Sequence, residues 1–137
     1  MVSIRSKALT SKQLANKIAQ LAADKKAQDI VILDMRGLVN FCDYFVLSTG
    51  TSDRQVKSIA EGISEGLSAL GIDNHLGRRI KGGEPKSSVD GFGAWMLLDM
   101  GDVVTHVFEP YAREFYGLEH LWQDAPVAVY KEHKKKI

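Results

Sequence analysis

The sequence predicts a mixed α/β domain, in which a single mixed β-sheet of about five strands is flanked by helices in the order α-β-β-α-β-β-β-α. Segments with helical periodicity and capping sequences alternate with short apolar runs rich in β-branched residues. The chain has 137 residues and shows no internal repeat or linker, which fits one domain. We expect that domain over residues 9–123, with flexible termini at 1–8 and 124–137.

The first helix begins at a capping box. Thr10 and Gln13 are three residues apart, so the side chain of each can bond the backbone amide of the other. The apolar stripe of this helix recurs at i, i+4 and i+7 and consists of Leu14, Ile18 and Leu21. Residues 30–35 are then apolar at nearly every position, which predicts a strand that is covered on both faces.

A second strand and a second helix follow. Residues 43–49 form another apolar run, and Gly50 and Thr51 break it. The sequence from Ser52 to Gln55 repeats the capping-box pattern, and Gly71 ends the helix. Gly62 and Gly66 lie four residues apart inside this helix. Close approach of another backbone would explain them, and so would a loosely packed helix.

The sequence of the C-terminal half predicts three strands and a helix. Residues 72–76 predict a weak third strand, and residues 77–94, with five glycines and four basic residues, predict one long loop. Residues 95–99 and 103–108 flank a short turn that contains Gly101, which predicts a β-hairpin. A third helix begins at Pro110 and continues to Trp122.

The charge distribution excludes some classes of function. The first seven residues carry a charge of +2 and the last seven +3, so residues 8–130 sum to −4 within a total of +1. Free nucleic-acid binding by the body is therefore not expected. No apolar run approaches the roughly 20 residues that cross a bilayer, so no membrane partner is expected. The single cysteine and the lack of a secretory signal predict a cytoplasmic protein, or one in an organelle matrix.

No catalytic constellation emerges from the chain, and no cofactor or metal is expected. The turn Gly50-Thr51-Ser52-Asp53 precedes a helix, where phosphate can bind free amides, but it lacks the lysine of a phosphate-binding loop. The histidines have no metal-ligand spacing. Four carboxylates at or near strand ends could serve as acid, base or metal ligand: Asp34, Asp43, Asp99 and Asp102. For Asp99 and Asp102, a structural role in the turn at Gly101 is the preferred interpretation.

Several side chains are interpreted as core or interface residues. His106 shares a strand face with Val104 and Phe108, which predicts a hydrogen-bonded core or edge histidine. Cys42 is expected to be a small buried filler. Aromatic and arginine side chains often carry interface energy, and several lie in the C-terminal part of the chain. Each could equally be a core residue: Trp95, Arg113, Phe115, Tyr116 and Trp122.

Three ordered motifs, at residues 43–56, 95–108 and 113–122, resemble the ribosomal silencing factor family, RsfS or Iojap. The resemblance covers about residues 11–122 and implies a nucleotidyltransferase-like fold without catalysis, often a homodimer. It implies a translation repressor that binds a ribosomal protein on the intersubunit face of the large subunit and sterically blocks subunit association. Carried over by position, the partner-binding residues are Trp95, Leu97, Asp99, His106, Arg113, Tyr116, Leu118, Glu119, Leu121 and Trp122.

Two further expectations complete this interpretation. The basic tail and the basic part of the long loop, from Arg78 to Lys86, could make a secondary contact with ribosomal RNA. The alternative function is a nucleotide-binding or nucleotidyltransferase-type enzyme that uses the turn at residues 50–53.

Overall fold

The computed structural model describes residues 9–72 and 95–130, which form one five-stranded mixed sheet with helices on both sides. The strand order is β3-β4-β2-β1-β5, in which β2 and β4 are parallel and the other neighbours antiparallel. The predicted fold class is thus confirmed. The elements are α1 Ser11–Asp24, β1 Gln28–Asp34, β2 Tyr44–Thr49, α2 Asp53–Ala69, β3 Trp95–Asp99, β4 Val103–Phe108, α3 Pro110–Tyr116, α4 Leu118–Leu121 and β5 Val127–Val129.

The two faces of the sheet are covered differently. The first face, which includes Val46 and Val107, packs against the apolar stripes of α1 and α2. The second face, which includes Leu47 and Phe108, packs against residues of the shorter segment from α3 to residue 125. Every residue of β2 and β4 is buried. The central strands therefore need cover on both sides, as their continuous apolar sequences predict.

The helix starts follow the predicted capping chemistry with one change. Thr10 Oγ1 accepts from the Gln13 amide at 3.1 Å, and Gln13 Oε1 accepts from the Thr10 amide at 2.9 Å. At α2, Ser52 Oγ accepts from the Gln55 amide at 3.1 Å. The Gln55 side chain, however, accepts from the Thr51 amide at 2.7 Å, one residue before the N-cap. The first capping box is confirmed, and the second is only half formed.

Two sequence expectations change in the C-terminal half, and a third falls largely outside the described residues. The predicted third helix is two helices, because Gly117 adopts the left-handed conformation, with φ of +57°, between α3 and α4. The segment from residue 124, expected to be a flexible terminus, instead contains β5, which pairs with β1. A strand of only three residues can form here because its backbone pairs with the edge of β1. Of the predicted third strand, only Ile72 is described and it is not in a strand; residues 73–76 and the 77–94 loop lie outside the described residues.

The hairpin prediction is confirmed. β3 and β4 are antiparallel neighbours, and their turn contains Gly101 with φ of +87°. Asp99 Oδ1 accepts from the Gly101 amide at 2.8 Å, so this carboxylate stabilises the turn. No helix within residues 9–72 and 95–130 is long and apolar enough to cross a bilayer.

The two glycines inside α2 face the side chains of Leu21 on α1 and of Lys25, the residue that follows α1. A Cβ at Gly66 would lie 2.5 Å from Leu21 Cδ2, and a Cβ at Gly62 would lie 2.7 Å from Lys25 Cε. The close approach is therefore real, but side chains rather than a second backbone make it. Each glycine lowers the helix propensity of α2, and the absence of a Cβ leaves space for one of these side chains.

Gly66→Ala is expected to couple with Leu21→Ala. In the Leu21→Ala background the new methyl has room, so Gly66→Ala should stabilise the protein by about 1 kcal/mol through helix propensity. In the parent, the contact with Leu21 should cancel or reverse that gain. Urea unfolding of the four proteins measures the coupling, with Ser68→Ala on the exposed side of α2 as a control. Equal effects of Gly66→Ala in both backgrounds would contradict this packing.

Candidate partner-binding surface

The second face of the sheet carries a connected set of aromatic rings. Trp95, at the start of β3, is buried with its ring centroid 4.5 Å from that of Tyr116 on α3 and 5.3 Å from that of Phe108. Trp95 Nε1 donates to Nδ1 of His106 at 3.1 Å. This bond is possible because Trp95 and Phe108 are register partners on β3 and β4, with His106 two residues along the same face. Strand pairing thus fixes the centre of the ring set.

His106 is a core residue. Its side chain is only 4% exposed, and burial lowers the pKa of the imidazole to about 3. Because Nδ1 accepts from Trp95, the proton of the neutral ring lies on Nε2. Nε2 has no hydrogen-bond partner among the described residues, and the ring meets Phe45 edge-on at 4.8 Å. The prediction of a hydrogen-bonded core histidine is confirmed.

The ring set reaches the surface at both ends. Phe115 lies 5.1 Å from Tyr116, and Phe41 lies 6.4 Å from Phe45, measured between ring centroids. Phe45 is also 6.4 Å from Trp122, which follows α4. We call the exposed and half-buried side chains at these ends the aromatic surface; it consists of Phe41, Phe115, Tyr116, Leu121 and Trp122.

Three side chains of the aromatic surface are large, apolar and mostly exposed. Phe41 is 58% exposed, Phe115 54% and Leu121 66%. Leu97 and Leu118 are half-buried beneath it and pack against the second-face core. Large exposed apolar side chains gathered around a buried aromatic cluster mark an interaction site more often than a chance arrangement.

The chain segment that carries four of the five residues of the aromatic surface is acidic. Residues 95–130 contain a single basic side chain, Arg113, and six carboxylates: Asp99, Asp102, Glu109, Glu114, Glu119 and Asp124. Arg113 does not offset them at the surface, because Nε and Nη2 each donate to a Glu119 oxygen at 2.9 Å. The surface therefore combines apolar side chains with negative charge.

The turn considered for phosphate binding is occupied by the protein itself. The Gly50 amide donates to the Phe108 carbonyl at 2.8 Å, and the Thr51 amide donates to Gln55. A Cβ at Gly50 would lie 3.0 Å from the Val56 amide nitrogen, so the backbone here is tightly packed. The turn begins α2 and does not form an anion cradle like that of a phosphate-binding loop.

Two other residues considered as functional candidates, Asp34 and Cys42, have structural roles. Asp34 receives two side-chain hydrogen bonds from Arg36, which hold the pKa of the carboxyl below its usual value. Burial raises the pKa of the Cys42 thiol to about 11, so Cys42 is a neutral filler, as predicted. Among residues 9–72 and 95–130, no three His, Cys, Asp or Glu side chains meet in a way that could hold a metal ion.

Comparison with known proteins identifies the family. The profile of a family described as "Ribosomal silencing factor during starvation" matches residues 8–137. The ribosomal silencing factor RsfS of Bacillus subtilis is 43% identical over 115 residues, which cover 82% of this chain and 87% of that protein. The chain belongs to the ribosomal silencing factor family.

Two further relatives place this ribosomal silencing factor family member among its neighbours. The chloroplastic protein Iojap of Zea mays is 32% identical over 111 residues, covering 81% of this chain and 44% of that protein. A crystal structure of a Chromobacterium violaceum protein has a TM-score of 0.69 and 30% identity, covering 84% of this chain and 88% of the other. The resemblance stated from the three motifs is confirmed.

The ten residues carried over from the family resemblance occupy two different layers in this family member. Tyr116, Leu121 and Trp122 lie on the aromatic surface, with Leu97 and Leu118 half-buried beside it. Trp95 and His106 lie beneath, and Asp99 holds the hairpin turn. Phe41 and Phe115 of this surface are not among the partner-binding residues that the sequence predicts. An aromatic side chain in the turn-rich segment 36–42 was the available signal for Phe41.

His106→Asn is expected to remove a pH dependence of stability. The folded pKa of about 3 lies below the value of 6.5 for an unfolded histidine, so the unfolded chain takes up a proton first as the pH falls. Stability linked to His106 is therefore complete above pH 6.5 and decreases by about 2 kcal/mol between pH 7 and pH 5. Asparagine retains an acceptor near the Nδ1 position but cannot be protonated.

Urea unfolding at pH 7 and pH 5 measures this difference. The variant should lose about 2 kcal/mol less than the parent on acidification, whatever its stability at pH 7. His120→Asn, at an exposed histidine, is the control and should follow the parent. A parent and a His106→Asn variant with the same pH dependence would show that His106 is not buried in its neutral form.

Proposed function

We propose that this family member represses translation by binding a ribosomal protein on the intersubunit face of the large ribosomal subunit and sterically blocking association with the small subunit. The observation that carries the proposal is the aromatic surface within an acidic segment, in a chain whose relatives are named ribosomal silencing factors. Repression by occupation requires a surface and a partner, and it requires no chemistry.

The apolar side chains supply affinity. A side chain such as Leu121, exposed in the free protein, gains roughly 1.5–3 kcal/mol when an interface buries it fully. Tyr116 and Trp122 are half-buried, so their rings are already held in place by the protein before binding. Held rings lose little conformational freedom on binding, which makes them effective anchors.

The carboxylates indicate the chemistry of the partner. A protein that sits in ribosomal RNA carries lysine and arginine to contact phosphates, so such proteins are rich in basic residues. The carboxylates of residues 95–130 other than Glu119, which binds Arg113, complement a basic protein and would repel RNA itself. We therefore propose a protein, rather than RNA, as the primary contact of this surface.

Four further parts of the proposal follow from the family and the sequence. The protein acts without catalysis, since its relatives are named for silencing and the candidate turn is filled by its own side chains. It acts in the cytoplasm, where it meets the ribosomal subunits. The basic sequence segments 78–86 and 131–137, outside the described residues, make a secondary contact with ribosomal RNA. The free protein forms a homodimer.

Leu121→Ser is expected to weaken binding to large subunits about tenfold, because it removes an exposed apolar side chain from the interface without touching the core. Cosedimentation of the protein with purified large subunits measures the affinity. Leu70→Ser is the matched control: Leu70 is also exposed but follows α2, on the other side of the sheet. The same variants should rank identically in a gradient assay of subunit association.

Two outcomes would contradict the proposal. Binding unaffected by Leu121→Ser, or reduced equally by Leu70→Ser, would show that the aromatic surface is not the interface. Binding of the parent to large subunits without any reduction in subunit association would show that repression does not act by steric exclusion.

A further inference from the structure

We propose that Arg113 is a positioning residue, which holds α4 and thereby orients Leu121 and Trp122 for binding. The inference rests on the proposed function, because it assigns a cause to the shape of the same surface. It differs from the expectation of the family resemblance, in which Arg113 and Glu119 contact the partner directly.

The helix α4 needs support from outside. It has only four residues, no side-chain cap and no buried residue. Isolated helical turns of this length are unstable in water, because ordering the first turn costs more than its hydrogen bonds return. Three backbone bonds form its turn: the His120 and Leu121 amides donate to the Gly117 carbonyl at 3.0 and 2.9 Å, and the Trp122 amide donates to the Leu118 carbonyl at 2.9 Å.

The guanidinium of Arg113 supplies that support. Nε and Nη2 bind the two oxygens of Glu119 on α4 in a bidentate pair, with both distances 2.9 Å. Nη1 donates to the Asp29 carbonyl and to Thr49 Oγ1, both at 2.7 Å. One side chain on α3 therefore ties α4 to the first residues of β1 and to the end of β2.

These bonds leave Arg113 little capacity for a partner. They use four of the five N–H donors of the guanidinium. The Arg113 side chain is only 12% exposed, so water has little access to the guanidinium, whereas its partner Glu119 is 44% exposed. Asp29, whose carbonyl accepts one bond, has a left-handed backbone with φ of +49° in the irregular part of β1. The strand is thus shaped to present that carbonyl.

A positioned α4 binds more tightly than a mobile one. If α4 is in place for only a fraction of the time, the apparent affinity falls by that fraction. Loss of the Arg113 clamp should therefore weaken binding although every side chain of the aromatic surface is still present. This consequence separates positioning from direct contact.

The test compares Arg113→Lys and Glu119→Gln with the parent by amide hydrogen exchange and by cosedimentation with large subunits. Lysine keeps the charge but cannot form the bidentate pair, so the Leu121 and Trp122 amides should exchange about tenfold faster while the amides of α2 keep their protection. Subunit binding should weaken about tenfold in parallel. Glu119→Gln is the milder variant and should change both measurements in the same direction. Glu65→Gln, on α2, is the control for loss of one carboxylate.

A charge exchange discriminates positioning from contact. The double variant Arg113→Glu with Glu119→Arg restores an ion pair between α3 and α4 but not the bonds from Arg113 Nη1 to the Asp29 carbonyl and Thr49, so it should bind better than Arg113→Glu alone and less tightly than the parent. Two direct contacts would each meet the wrong charge in the double variant, and binding would then be at its weakest.

Unchanged exchange of the α4 amides, or faster exchange with undiminished binding, would overturn the positioning role. If the parent itself does not bind large subunits, the proposed function is wrong, and the exchange measurements still report whether Arg113 holds α4.

Discussion

The constraint on which the rest of the structure depends is the complete burial of the two central strands. All residues of β2 and β4 are buried, and these strands form the parallel pair of the sheet. A parallel pair buried on both sides needs a layer on each face. The long helices α1 and α2 provide one layer. The other layer is built from short pieces, and that asymmetry creates a surface suited to binding.

The short layer solves its packing problem with aromatic rings. Eleven helical residues in α3 and α4 cannot present a continuous apolar stripe, so large rings span the remaining distance to the sheet. Trp95 and His106 bring three polar nitrogens into this layer, and their mutual hydrogen bond satisfies Trp95 Nε1 and His106 Nδ1. The same rings that close the core continue outward to Tyr116 and Phe115, so core and interface are parts of one cluster. This continuity explains why the sequence left a core or interface role open for these residues.

The sequence was a good guide wherever a local rule decides the outcome. Thr10 and Gln13 form the predicted capping box because the contact spans three residues, and the alternation of β3 places Trp95 and Leu97 on one face. Its failures involve contacts between distant segments. The β5 strand forms because Val127–Val129 meets the edge of β1, almost a hundred residues earlier in the chain. The break at Gly117 was readable as a glycine, but the apolar i, i+4, i+7 pattern on both sides of it outweighed that signal.

At the candidate site, the sequence indicates which residues matter but not what each of them does. Family resemblance selected Arg113 and Glu119 as functional, and a sequence pattern has no means of telling a contact from a support. The structure assigns these side chains to each other, six residues apart and across a left-handed turn that brings them together. A surface that includes a four-residue helix benefits from such an ion pair, since Leu118 is only half-buried and helix propensity alone does not hold α4 in place. The ion pair between Arg113 and Glu119 therefore stabilises the protein itself, and the partner contacts chiefly the apolar side chains and the remaining carboxylates.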